Sequence, residues 1–338
     1  GDFTLGKPVG EFEKRFADMI GVKHAIGVGS GTDALKLPLK ALDIGHGDEV
    51  ITAANTFIAT VGAINEIGAR AVLVDCDPDT FCMDVLKVEA AITDKTRAIM
   101  PVQITGEVVD MTALMEIAEK YGLPVVEDAC QGIFSECDGT RSGTWGIAGG
   151  FSLHPLKNLN VWGDAGVIVT NDDEMDRKLR LFRNHGMRNR DEIEVLGYNS
   201  RLDSVQAVVG NWLINQTTDI TEKRIANGTY YDNGLADIKG IRVPNRPENH
   251  KRVYHLYMVF AENRDALYEH CLKSGVEAKV HYPIPLYQQD GLKHLGYAPG
   301  TFPITDLHAN TVISFPVDQH ITRDQMDIVI ETVRSFYA

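Results

Sequence analysis

Lys157 stands apart in the run Phe151-Ser-Leu-His-Pro-Leu-Lys157-Asn-Leu-Asn-Val-Trp-Gly163, with no acidic neighbour within six residues. A lysine in dry surroundings is pushed toward its neutral, nucleophilic form, as condensation with a carbonyl requires. A second run, Leu123-Pro-Val-Val-Glu-Asp128-Ala-Cys-Gln131, reads as a buried strand ending on a carboxylate. An acid there can keep a heteroaromatic nitrogen protonated. A third, Gly27-Val-Gly-Ser30-Gly31-Thr32-Asp-Ala-Leu35, combines glycines for close backbone approach with the start of a helix, whose unpaired N–H groups suit an anion. Its spacing matches neither common nucleotide fingerprint. A fourth, Asn55-Thr-Phe57-Ile-Ala-Thr60, places Phe57 where it could stack on a flat ring.

Each run also has an ordinary reading. These are a capped glycine turn, a strand-end Asp capping the next turn, a snorkelling surface lysine and a core phenylalanine. Together they match one cofactor. A phosphate cradle, an acid for a ring nitrogen, an aromatic to stack and an imine-forming lysine are the demands of pyridoxal 5′-phosphate.

The elements that must position these residues follow from periodicity. Val9, Phe12, Phe16 and Ile20 predict a helix over 9–20, and Ala34 to Leu42 predict another over 32–42. Short apolar runs at Val50-Ile51, Ala71–Val74, Ala98–Met100 and Val125-Val126 read as strands buried on both faces of a parallel sheet. The βαβα rhythm predicts an α/β domain that binds ligands at the C-terminal ends of its strands. A strand at 165–170, a charged helix at 172–185 and one long helix over about 201–236 are expected next. Gly240, Pro244 and Pro247 mark a candidate boundary. It divides a large domain (1–239) from a smaller α+β domain (240–338) with strands at 253–260 and 278–282 and helices at 263–274 and from 322.

Composition excludes other classes. The 338 residues carry 33 Lys and Arg against 47 Asp and Glu, a net charge of −14. Such a chain is poorly suited to nucleic acid or an anionic membrane. No apolar run approaches the roughly 18 residues that span a bilayer, and no leader is visible. The five cysteines show no C-x-x-C spacing, so neither a metal site nor a disulfide framework is expected, and a cytoplasmic setting fits.

Over nearly its whole length the chain resembles the DegT/DnrJ/EryC1/StrS sugar aminotransferases, within the fold type I, aspartate aminotransferase-like enzymes. The resemblance runs through Gly6, Phe12-Glu13, Ser30-Gly-Thr-Asp-Ala-Leu35, Gly47-Asp-Glu-Val-Ile51, Asn55-Thr-Phe57, Glu127-Asp-Ala129 with Gln131, and Ser152 to Gly166. It continues through Asn199-Ser-Arg-Leu-Asp203, Gln206-Ala207 and His281-Tyr-Pro-Ile-Pro285. Members usually begin earlier, so sequence is expected to precede Gly1.

The resemblance implies a mainly parallel seven-stranded sheet between helices, and catalysis by Lys157 and Asp128. Lys157 would carry the cofactor and shuttle a proton; Asp128 would pair with the ring nitrogen. Gln131 would bond the phenolic oxygen, Phe57 would lie on the ring, and Ser30, Gly31, Thr32 and Ser152 would hold the phosphate. Asn199 would reach the phosphate of a neighbouring subunit, which implies a homodimer with shared sites.

The implied reaction is ping-pong transfer from glutamate or glutamine to a keto or aldehyde sugar, for lipopolysaccharide or another glycan. The run from His154 is similar to the branch that aminates unusual ketosugars, and its narrower implication is amination at C8 of a 3-deoxy-manno-octulosonate. His154, His185, Arg188, Arg190 and His281 are the candidates for substrate contacts. A related subgroup replaces the lysine with histidine and dehydrates sugars; Lys157 favours transamination. Cys130, where Ala is frequent, and Asp164-Ala165, where Asp-Gly or Glu-Gly is usual, depart from the pattern. An NAD-dependent sugar dehydrogenase and a catalytically idle sugar-binding relative are the alternatives; against the first stand the glycine spacing and the distant Asp75.

Overall fold

The computed structural model describes residues 3–338. The first helix, α1 (Lys7–Ile20), buries the stripe its periodicity predicts and ends on Gly21 at φ 89°, where only a residue without Cβ turns freely. Then follow β1 (His24–Val28), α2 (Gly31–Ala41), β2 (Glu49–Ala53), α3 (Ile58–Glu66), β3 (Arg70–Val74), β4 (Thr96–Met100), α4 (Met111–Tyr121) and β5 (Val126–Asp128). A hairpin of β6 (Glu136–Cys137) and β7 (Thr140–Arg141) leads to β8 (Ala148–Ser152), β9 (Gly166–Thr170) and α5 (Asp173–Phe182).

Two runs of strands, β1-β9-β8-β5 and β3-β2-β4, are joined by single parallel bridges Ile99–Val125 and Val102–Asp128. They make one sheet of seven strands, ordered β1-β9-β8-β5-β4-β2-β3. Its neighbours are parallel except at β9, which runs against both β1 and β8. The fold class is therefore the expected one. The C-terminal ends of the parallel strands and the first residue of β9 meet along one edge of the sheet, where ligands of open α/β sheets gather.

The expected long helix over 201–236 is two helices, α6 (Ser204–Leu213) and α7 (Thr217–Leu235), separated by a tight turn at Ile214–Gln216. Thr217 and Thr221 bond back to the carbonyls of Leu213 and Thr217, and such competition weakens helix continuity. Beyond lie β10 (Ile241–Arg242), β11 (His250–Lys251), β12 (Tyr257–Ala261), α8 (Arg264–Lys273), α9 (Pro303–Thr311), β13 (Val312–Phe315) and α10 (Arg323–Tyr337). Strands β10, β12 and β13 form a second, antiparallel sheet. Its core, including Tyr257, Val259, Leu267, Ile313 and Val333, also draws on Tyr231, Leu235 and Ile238.

No strand forms over 278–282. Lys279 makes one isolated bridge to Ser314, and Pro283 and Pro285, which lack an N–H, allow no ladder to continue.

One buried ion pair braces the start of the ligand edge. Glu13 on α1 accepts from Gly27 N (2.9 Å), Arg180 (3.0 Å) and Arg183. Removing one partner of a buried pair leaves the other charge uncompensated. Glu13→Ala is expected to cost about 3–5 kcal/mol in unfolding free energy by urea titration; a loss under about 1 kcal/mol would refute the bracing role.

Candidate active site

Asp128 closes β5, and strand alternation turns it and Glu127 to opposite faces. The buried Glu127 carboxylate accepts from Gly143 N (2.7 Å), Trp145 N (2.7 Å), Gly146 N (3.1 Å) and Gln103 Nε2 (3.1 Å). Burial nonetheless pushes its pKa up. Asp128 faces a cavity of about 570 Å³ along the strand-end edge. Its Oδ2 accepts from Thr60 Oγ1 (2.7 Å), itself 2.7 Å from Thr56 Oγ1, and its Oδ1 accepts from Cys130 N (3.1 Å). One oxygen and then the other is held, so the carboxylate cannot rotate.

Lys157 lies in the irregular segment between β8 and β9, held by a turn in which its N–H donates to His154 O (2.8 Å). Burial lowers its pKa, and the nearby Asp128 charge works against that fall. The amine is thus more readily neutral than an exposed lysine.

Ser30 caps α2, its Oγ accepting from Asp33 N (3.1 Å). The N–H groups of Gly31 and Thr32 have no hydrogen-bond partner among the described residues. A Cβ on Gly31 would come within 2.7 Å of Ser152 Cβ, and one on Gly166 within 2.2 Å of the Ser30 carbonyl oxygen. Three chain segments therefore converge on a cradle lined by free N–H donors at the positive end of a helix. Gly29 N donates to Ser200 Oγ (3.0 Å), which donates to Asp33 Oδ2 (2.8 Å), fixing the loop from behind.

Phe57, half-exposed, lines the cavity mouth beside Tyr282, with ring centres 6.3 Å apart. Gln131 Oε1 accepts from Thr105 N (2.7 Å), which leaves its NH2 group as the end that donates into the cavity, beside the Tyr282 hydroxyl.

The structure thus brings Ser30, Gly31, Thr32, Phe57, Asp128, Gln131, Ser152, His154, Lys157 and His281 to one cavity. Asn199, His185, Arg188 and Arg190 are exposed and do not line the cavity of their own chain. Arg188 is held instead by Glu194 at 2.8 Å. Sequence reasoning missed Thr60, Tyr282, Arg224 and His255. Two threonines flanking the start of α3, Thr56 just before it and Thr60 in its first turn, are a readable sign of a polar anchor. Among the described residues no cluster of His, Cys, Asp or Glu could hold a metal, and no helix is long and apolar enough to cross a membrane.

A phosphate-sized cradle, a pinned carboxylate and a desolvated lysine around one cavity, on a mainly parallel seven-stranded sheet, fit pyridoxal phosphate and define a fold type I enzyme of that cofactor. The chain matches the DegT/DnrJ/EryC1/StrS aminotransferase family over residues 1–334 and belongs to it. The dTDP-3-amino-3,4,6-trideoxy-alpha-D-glucose transaminase of Micromonospora megalomicea subsp. nigra is 39% identical over 343 residues, covering 99% of this chain and 91% of the relative. The crystal structure of S. venezuelae DesV in complex with a ketimine intermediate superposes with TM-score 0.97 at 38% identity, covering 100% and 91% of the two chains. NtdA from Bacillus subtilis with bound cofactor PMP gives 0.92 at 33%, covering 98% and 78%. This chain is a pyridoxal-phosphate-dependent aminotransferase, which sets aside the dehydrogenase and the idle-binder readings.

Proposed function

We propose that the enzyme transfers an amino group from glutamate, or glutamine in its place, to the keto group of a nucleotide-linked sugar, in two half-reactions. The product would be an amino sugar for lipopolysaccharide or another glycan, made in the cytoplasm. The observation that carries this reading is the placement of Lys157 on the same cavity as the pinned Asp128, beside the free N–H groups of Gly31 and Thr32. When bound, pyridoxal phosphate supplies an aldehyde for the donor amine and a ring that accepts the electron pair released at the donor's Cα.

The chain's own groups do the rest. Gly31 and Thr32 N–H, with Ser30 and Ser152, hold the phosphate. Asp128 keeps the ring nitrogen protonated, Phe57 covers the ring face, and the Gln131 NH2 donates to the phenolic oxygen. Lys157 Nζ is where the cofactor would be attached, and as a free amine Nζ would be placed to take the proton from the donor's Cα onto itself.

The Micromonospora relative is named for a dTDP-linked sugar, which supports a nucleotide-linked acceptor over the free octulosonate aminated at C8. The exposed position of Asn199 supports a homodimer in which it reaches the partner's cofactor phosphate. So does the exposed apolar face of Val205, Val208, Trp212 and Trp162, the two indole rings 6.3 Å apart.

Glutamate added to the yellow holoenzyme is expected to bleach its absorbance band and release one equivalent of 2-oxoglutarate. A panel of dTDP- and UDP-linked 3-ketosugars and an 8-oxo octulosonate should then show which acceptor restores the band. Restoration by the octulosonate alone would overturn the nucleotide-linked reading.

A further inference from the structure

The wall of the cavity built from α7 and the second sheet holds a buried cation that the roles above leave unused. On α7, Thr217, Thr221, Arg224, Gly228, Tyr231 and Leu235 recur on the buried face, and Arg224 is the charged member of that stripe. Only 7% of Arg224 is exposed, yet it lines the cavity.

Its Nε donates to Gln319 Oε1 (3.3 Å) and its Nη1 to the carbonyls of Tyr254 (3.0 Å) and His255 (3.4 Å). Nη2 has no protein partner among the described residues, and it is not among the polar atoms sealed from solvent. The other arginines buried as deeply each have a carboxylate: Arg183 pairs with Glu13, and Arg264 with Asp265 at 2.6 Å. Arg224 forms no ion pair among the described residues. Asp318 shares its wall but stands beyond pairing distance, with Oδ1 accepting from His320 N (2.8 Å).

Burying an unpaired guanidinium is costly, and the cost is recovered when an anion completes it. Burial holds the Arg224 pKa below the ordinary guanidinium range. His255 lies on the same wall with a sealed, partnerless Nδ1. Burial first, and then the nearby Lys157 and Arg224, hold its pKa well below the ordinary imidazole value.

We propose that Arg224 Nη2 anchors the carboxylate of the amine donor, on the stretch of cavity wall it shares with His255. The proposal rests on the aminotransfer reading. The shared chemistry is an anionic oxygen, which a donor carboxylate or a sugar diphosphate could supply. Position favours the donor: its α-carboxylate is one bond from the reacting carbon and must enter as deep as Lys157 Nζ. The diphosphate of a nucleotide-linked sugar is a sugar ring further from the reacting carbon, and Lys279, exposed on the same cavity, is a cation open to it.

The test compares two amines on the holoenzyme by the rate of its spectral change: L-glutamate, and propylamine, which has no carboxylate. In Arg224→Gln, which keeps a donor for the Tyr254 and His255 carbonyls, the preference for glutamate over propylamine is expected to fall about 100-fold. Cofactor affinity should stay unchanged, and Arg224→Lys should recover part of the preference. If Arg224→Gln does not fold, Arg224→Lys decides alone, with a loss of about tenfold expected because a point charge replaces the planar fork. An equal loss for both amines marks a structural role and overturns the anchor, as does an unchanged preference. Inhibition by inorganic pyrophosphate is the second arm: if the variant loses only that, the site takes phosphate and the proposal fails. A wild-type enzyme inert to both glutamate and glutamine would refute aminotransfer itself, a result distinct from each of these.

Discussion

Lys157→Ala is expected to lower turnover by about 10⁴-fold or more, since it removes both the attachment point and the group that moves the proton. Mass spectrometry after borohydride reduction should find the cofactor on the peptide containing residue 157 in the wild-type chain and nowhere in the variant. Lys279 is the competing lysine on the cavity. It is exposed and held by Glu277 at 2.8 Å, outside the enclosed part of the site. Lys157 has the opposite setting, with burial holding its pKa down. A trapped adduct at Lys279 would overturn the assignment.

Asp128→Asn should keep the cofactor and the yellow colour yet lose about 10³-fold in turnover. The amide keeps the shape: its one oxygen can accept from Cys130 N while the Thr60 hydroxyl turns to accept from its NH2, so the change chiefly removes the charge that would keep the ring nitrogen protonated. Single-turnover rates with glutamate measure it directly. Turnover within about tenfold of wild type would contradict the electrostatic role. Asp128 and Lys157 lie close enough to share a field, so the double variant is expected to fall short of the product of the two losses.

Much of the ligand edge is legible before any coordinates. Val125-Val126 is continuously apolar because β5 is covered on both faces, so the carboxylate ending it is conspicuous. Ser30 and Asp33 announce the start of α2 in the same way, as a cap and a first-turn acid. Strand β8 is harder to read, since Ala148-Gly-Gly-Phe-Ser152 has poor strand propensity. Its glycines are there for space. A Cβ at Gly150 would meet the Ala34 carbonyl oxygen at 2.8 Å, and one at Gly149 the backbone of Gly143 at 2.4 Å. Close packing of α2 on the sheet thus overrides propensity.

His185, Arg188 and Arg190 stand out in the sequence by charge, and charge alone does not say which cavity a side chain faces, in its own chain or a partner's. Arg188 instead spends its charge on Glu194. Arg224 has a readable signal of its own, the one charge on a buried α7 stripe whose other members are uncharged.

The glycines at 31, 150 and 166 have a consequence for how such an enzyme can change. At each of them a single methyl group would collide with a serine side chain or a main-chain carbonyl, so this side of the chamber tolerates almost no variation. The facing side, from Glu277 to Tyr282 and from the end of β13 to Asp318, comes from the second sheet's edge and short connections whose shape the central sheet does not dictate. Libraries aimed at new acceptors belong there, where sequence can wander without disturbing the machinery for nitrogen exchange.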